Sequence, residues 1–159
     1  MVRPTGPSIF EFRGSIAVSG AVFVDANVFL RFLTNDVPDQ ATEAEQLFRR
    51  AANGNVQLVT NTMVLAELVW VMESYYRLPK NEVQRRALAV ATMEGLDLPA
   101  LDLAVEALFD YVGKNVDFID AYTVAWARRH AVGSFATFDT RHLGRFDGLE
   151  LVTLGGAPT

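Results

Sequence analysis

The chain has no cysteine among its 159 residues. That absence removes a disulfide framework, a zinc–thiolate site and a thiol nucleophile. Long apolar runs are missing too. No uninterrupted stretch approaches the ~18 residues a membrane span requires, so no membrane association is expected and the chain reads as cytoplasmic. Positive charge is scarce: 14 Lys and Arg face 19 Asp and Glu, a net charge of −5. Proteins that coat nucleic acid through bulk charge are usually basic, so that class is disfavoured. An enzyme that meets a phosphodiester locally through a metal stays open. What is present is ordinary for a globular protein, with 50% apolar and 21% charged residues. The length suits one domain with a real hydrophobic core.

Residues 1–20, "MVRPTGPSIFEFRGSIAVSG", carry Pro, Gly and Ser without a clear period. They lack the apolar core of a secretory signal and read as an N-terminal extension ahead of a domain over residues 21–155. "AVFVD" (21–25) is a β-branched run expected as a buried strand, running straight into the helix "ANVFLRFLT". "DQATEAEQLFRRAANG" reads as a helix closed by Gly, and "VQLVT" (56–60) as a second strand. Thr62 is placed to N-cap the next helix. "PKNEVQRRALAVATMEG" has Pro near its start and Gly after its end, as a helix should. "LDL" reads as a short strand and "PALDLAVEALFDYVG" as a helix. "DFIDAYTVAWARRHAVG" has acids in its first turn and Arg128, Arg129 and His130 in its last. "SFATFD" (134–139) and "LELVTL" (149–154) complete the strands. This alternation predicts an α/β protein: a three-layer α/β/α sandwich with a mainly parallel central sheet.

That order gives the acids their interest. Asp25 ends the first strand and Asp139 ends "SFATF", so both fall at the carboxyl edge of a parallel sheet, where α/β ligand sites form. Asp117 and Asp120 lie three apart in one first turn and therefore neighbour each other. Glu67 sits in "TMVLAELVWVME" (62–73), where nine of the ten residues from Met63 to Met72 are apolar. Such a helix is expected to be buried, and a buried carboxylate without a partner costs several kcal/mol or turns neutral. Acids gathered together need a shared divalent cation, and hard oxygens without thiolates suit Mg²⁺ or Mn²⁺. Taken singly, each acid also has a plainer role. Asp25 suits a helix N-cap, Asp117 or Asp120 a cap or dipole partner, Asp139 a turn, and Glu67 an ion pair with a distant Arg.

Four short motifs occur in order: "VDANVFLRFL" with Asp25 and Asn27, "TMVLAEL" with Glu67, "VDFIDAYTVAWA" with Asp117 and Asp120, and "FATFDTRHL" with Thr137 and Asp139. Together they resemble the PIN-domain family of metal-dependent ribonucleases, and within it the VapC toxins of toxin–antitoxin pairs, from Ala21 to Leu154. The resemblance implies a Mg²⁺- or Mn²⁺-dependent endoribonuclease that hydrolyses RNA, with a metal-activated water attacking phosphorus in line. It assigns Asp25, Glu67 and Asp120 as central acids and Asp139 as a more variable fourth. Asp117 is either a ligand or a positioner of Asp120, and Asn27 and Thr137 hydrogen-bond carboxylates or water. His130 and His142 read as surface or structural residues. The implied partners are an RNA substrate, a cognate antitoxin and a second copy in a homodimer. Tyr75 and Tyr76 are candidates for such surfaces, whereas Phe29 and Phe32 read as core. Arg31, Lys80, Arg85, Arg86 and Arg141 are candidates for RNA backbone contacts. Two alternatives stand beside this reading: a PIN nuclease of RNA processing or decay without an antitoxin, and a Mg²⁺-dependent phosphatase on a similar scaffold. The phosphatase would need a second Asp where Asn27 stands.

Overall fold

The computed structural model describes residues 20–152 and 154–155; the expectations for residues 1–19 lie outside them. The elements run β1 (Val22–Phe23), α1 (Ala26–Thr34), α2 (Pro38–Ala52), β2 (Leu58–Val59), α3 (Thr62–Ser74), α4 (Lys80–Ala91), β3 (Leu96–Asp97), α5 (Leu101–Gly113), α6 (Phe118–Arg129), β4 (Ser134–Ala136), α7 (Thr140–Leu143) and β5 (Glu150–Val152). Helices alternate with strands and every strand pair is parallel, the α/β class expected. No helix among the described residues is long and apolar enough to cross a membrane.

The described chain forms two compact units. The first runs up to Asn61 and takes in Glu94–Pro99. Its sheet has the order β1-β2-β3, with Val22 opposite Leu58 and Leu58 opposite Leu96. Thr60 ties its carboxyl end together. Its N–H donates to the Asp97 carbonyl at 3.0 Å, and its hydroxyl donates to the Val24 carbonyl at 2.9 Å. Thr60 is 4% exposed, and those bonds satisfy what burial would otherwise leave costly. The expectation of a buried first strand needs correcting: Val22 and Phe23 are 42% and 53% exposed, and Val24, at 1%, is the buried residue. β1 is one of the two outer strands of this three-stranded ladder, and in the central β2 Leu58 is fully buried.

Helices α1 and α2 pack through aromatic rings. Phe29 is fully buried and stacks on Phe48 with centroids 5.6 Å apart, while Phe32 meets Phe48 edge-on at 5.0 Å and stays partly exposed. Pro38 opens α2 as its first residue, where a missing N–H matters least. Gly95, at φ +80°, lies so close to α2 that a Cβ there would be 2.5 Å from the Ala51 carbonyl. Only glycine fits both the backbone angle and the approach.

The second unit comprises Thr62–Met93 and the chain from Ala100 onward. Here α3 packs on α4 and α6, and α5 packs on α4 and α6. Ala104, Ala107, Ala121 and Ala125 are buried at 0–1% exposure, small side chains that let α5 and α6 approach closely. Strands β4 and β5 pair with Ser134 opposite Glu150 and Ala136 opposite Val152. Thr62 is not the cap expected. It is already helical, and its hydroxyl donates to the Tyr122 hydroxyl at 3.4 Å.

Candidate metal centre

The start of α6 is built by alternation. Val116 and Phe118 are 1% and 2% exposed, which anchors the chain and turns the intervening Asp117 outward. Asp117 adopts extended backbone angles and caps α6, its carboxylate accepting the Ile119 N–H at 2.8 Å. Two cations hold the preceding loop from behind. Lys80 Nζ donates to the Val116 carbonyl at 2.6 Å and lies 4.3 Å from the centroid of the buried Tyr111 ring. Arg145 donates to the carbonyls of Lys114 and Asn115. Burial holds the Lys80 ammonium below its ordinary pKa, with Glu73 and Asp117 opposing that shift. Tyr111 donates its hydroxyl to Glu73 at 2.8 Å, and burial raises the phenol's pKa.

Asp120 lies in the first turn of α6 and is half-buried. Its pKa is raised, first by burial and then by the negative charges of Asp117 and Asp139, with His142 opposing. Asp139 arrives from the far end of β4. Thr137 Oγ1 accepts the Asp139 N–H at 2.9 Å, and Asp139 in turn caps α7 by accepting the His142 N–H at 3.0 Å. The second Asp139 oxygen lies 2.8 Å from His142 Nδ1. These bonds, the backbone one first, hold the Asp139 carboxyl below the usual carboxylate range.

Asp120, Asp139 and His142 each offer one ligand atom, all within 4.8 Å of one another. Two hard carboxylate oxygens and one imidazole nitrogen fit a divalent cation such as Mn²⁺ or Mg²⁺. The raised Asp120 pKa follows from the same crowding, in which a half-buried acid beside two others favours added positive charge. His142 is the residue that the sequence reading missed. The available signal was its spacing of three from Asp139 in "DTRH", which places both on one helical face.

The other expected site residues are placed as follows. Asp25, in the first unit, is exposed and caps α1, accepting the N–H groups of Asn27 at 3.0 Å and Val28 at 3.4 Å. Asn27 is exposed and lines a cleft of about 330 Å³ with Val28, Arg31, Gln40, Glu43, Ala44 and Leu47. Glu67 stands on α3 and is exposed, which overturns the argument from its burial. The helix is apolar nearly all round, yet it leaves one stripe open. Met63 and Trp70, four before and three after Glu67, are 77% and 64% exposed. Among the described residues, neither Glu67 nor Asp117 joins the group formed by Asp120, Asp139 and His142. Several candidate RNA-contacting cations are engaged within the chain. Arg31 pairs with Asp36 at 3.0 Å, Arg85 and Arg86 both bind Glu82, and Lys80 holds the Val116 carbonyl.

No curated protein matches this sequence. The sequence model of the PIN domain matches residues 22–149, a span holding all four motifs and the Asp120–Asp139–His142 group. PIN domains are in general nucleases that act on nucleic acid with divalent metals, and this chain belongs to the PIN-domain family.

Proposed function

We propose that this PIN-domain protein is an endoribonuclease that uses Mg²⁺ or Mn²⁺ to hydrolyse RNA phosphodiester bonds. The observation that carries the metal-dependent reading is the meeting of Asp120, from the start of α6, with Asp139 and His142, from the cap and body of α7. On the matching motifs, Asp25, Glu67, Asp120 and Asp139 are the catalytic carboxylates, with Asp117 at the helix start, either as a further ligand or holding Asp120 in place. A bound divalent ion supplies positive charge against the negative charge developing at phosphorus. The chain's own groups do the rest. Thr137 and the His142 N–H fix Asp139, the Asp139–His142 contact fixes the imidazole, and the capped first turn fixes Asp120.

The proposed setting is cytoplasmic: the toxin of a type II toxin–antitoxin pair, a homodimer held by a cognate antitoxin. Incubating pure protein with single-stranded RNA tests the chemistry. Cleavage is expected with Mg²⁺ or Mn²⁺, and none with EDTA or with Asp120→Asn. Undiminished cleavage in EDTA overturns the metal-dependent reading. The biological role is tested by expression in cells. Growth arrest relieved by a short DNA-binding protein encoded next to this chain supports the toxin; RNA cleavage without arrest supports a processing or decay enzyme instead.

A further inference from the structure

Phe138 is 88% exposed, the most open of the large apolar side chains described. It is not a loose loop residue. Ala136, two before it, is paired with Val152 in the β4–β5 ladder. The next residue, Asp139, is fixed through its N–H to Thr137 and through its carboxylate to the N–H and ring of His142. The backbone on both sides of the ring is therefore held, and an aromatic face is displayed in water beside an acid of the proposed site. Asp120 has an apolar neighbour of the same kind: Ile119 is 59% exposed, and its N–H is taken by Asp117.

An acidic chain with net charge −5 has little general attraction for a phosphate backbone. Arg31, Arg85 and Arg86 are paired with acids in the structure, which reduces it further. Affinity for nucleic acid then gains from contacts that do not depend on net charge. Stacking of a base on an aromatic ring is such a contact, and it requires a base free of its duplex. We propose that Phe138 is a base-stacking residue: it receives an unpaired base of single-stranded RNA next to the phosphodiester that a divalent ion at Asp120 and Asp139 would hold. This rests on the nuclease reading and adds to it a residue that positions the RNA.

The test is equilibrium binding of a fluorescein-labelled, unstructured oligoribonucleotide to the full chain in EDTA, paired with steady-state cleavage in Mn²⁺. Phe138→Leu keeps an apolar side chain and removes the ring; it should weaken binding about 5- to 150-fold, the range for loss of one stacked base. KM should rise while kcat holds. Phe138→Tyr and Phe138→Trp should restore affinity, and the same sequence annealed into a duplex should be insensitive to all three changes. Melting temperatures equal to wild type exclude a folding defect, and Phe138→Ala serves as a second ring deletion. If wild type cuts RNA and both ring deletions bind and cut as wild type does, the stacking role is wrong and the nuclease stands; Phe138 then belongs to a protein partner's surface. Equal weakening on duplex and single strand also overturns stacking. If wild type neither binds nor cuts RNA, the nuclease reading fails and takes this inference with it.

Discussion

Asp25 carries two separable jobs, and two substitutions divide them. Its carboxylate caps α1 through the Asn27 and Val28 N–H groups. Asparagine caps about as well as aspartate, whereas alanine at such a position costs about 1 kcal/mol. Asp25→Asn should therefore melt with wild type, Asp25→Ala should melt lower, and both should lose RNA cleavage if Asp25 is catalytic. Full turnover in purified Asp25→Asn would leave only the capping job. Asp120 yields a prediction in pH. Its pKa is raised in the fold, so the native state binds the proton more tightly than the unfolded chain. Stability from this group is then fully present below the unfolded carboxylate pKa of about 4 and falls as pH rises through the folded value. Metal-free Asp120→Asn should melt above wild type at neutral pH, and the gap should close on acidification. Thermal scans across pH check this. Asp117, Asp120 and Asp139 were legible in the sequence as acids beginning a helix or ending a strand. His142 was not singled out, because its spacing of three from Asp139 becomes a shared face only if residues 140–143 are helical, and four residues are too few to show a period. The burial of Glu67 was misjudged because apolar residues surround α3, and a sequence without a polar face does not say which stripe stays open.

The six longer helices, α1 to α6, were legible as elements because caps and punctuation bound them, whereas α7 was not. The "ANVFLRFLT" helix was read with the bounds it has, Asp25 before it and Asn35 in the left-handed region after it. The strands were harder. β1, β2 and β3 have two residues each, so no alternation can establish which side is buried. At this scale, Gly95→Ala tests the packing of β3's lead-in against α2. The new methyl would meet the Ala51 carbonyl at 2.5 Å while the residue sits at φ +80°. A loss of more than about 1 kcal/mol in denaturant unfolding is expected, since the left-handed penalty alone is about that size. The first turn of α4 offers a second pH test. Hydrogen bonds from Arg85, then Arg86, hold Glu82 down at about 2 against an ordinary 4.5. Its contribution is present above the unfolded pKa and is lost as pH falls through that window. Glu82→Gln should remove that part of the acid sensitivity, seen as a shallower fall of melting temperature between those two pH values.

For the whole molecule, the charge ledger sets two expectations. Divalent metal that binds only the folded chain stabilises it by about 1.4 kcal/mol at tenfold excess over its Kd. For a chain of this size that is a rise in Tm of about 3–6 °C. Mn²⁺ should produce it in wild type and largely fail to do so in Asp120→Asn; an equal rise in both would move the ion elsewhere. Because Arg31, Arg85 and Arg86 are paired internally, RNA affinity should depend weakly on salt, with a shallow slope of log K against log salt. The parallel α/β class was legible from the alternation of elements alone. The division into two compact units was not, because nothing in a linear sequence marks Glu94–Pro99 as belonging with residues more than thirty positions earlier.

That returning segment has a consequence for biosynthesis. β2 leaves the ribosome well before β3, with α3 and α4 translated in between. At about 5–20 residues per second, Leu58 waits a few seconds for the strand that covers its outer flank. A nascent chain stalled with Asn61 just clear of the exit tunnel should be protease-sensitive, and one stalled with Pro99 clear of it should resist.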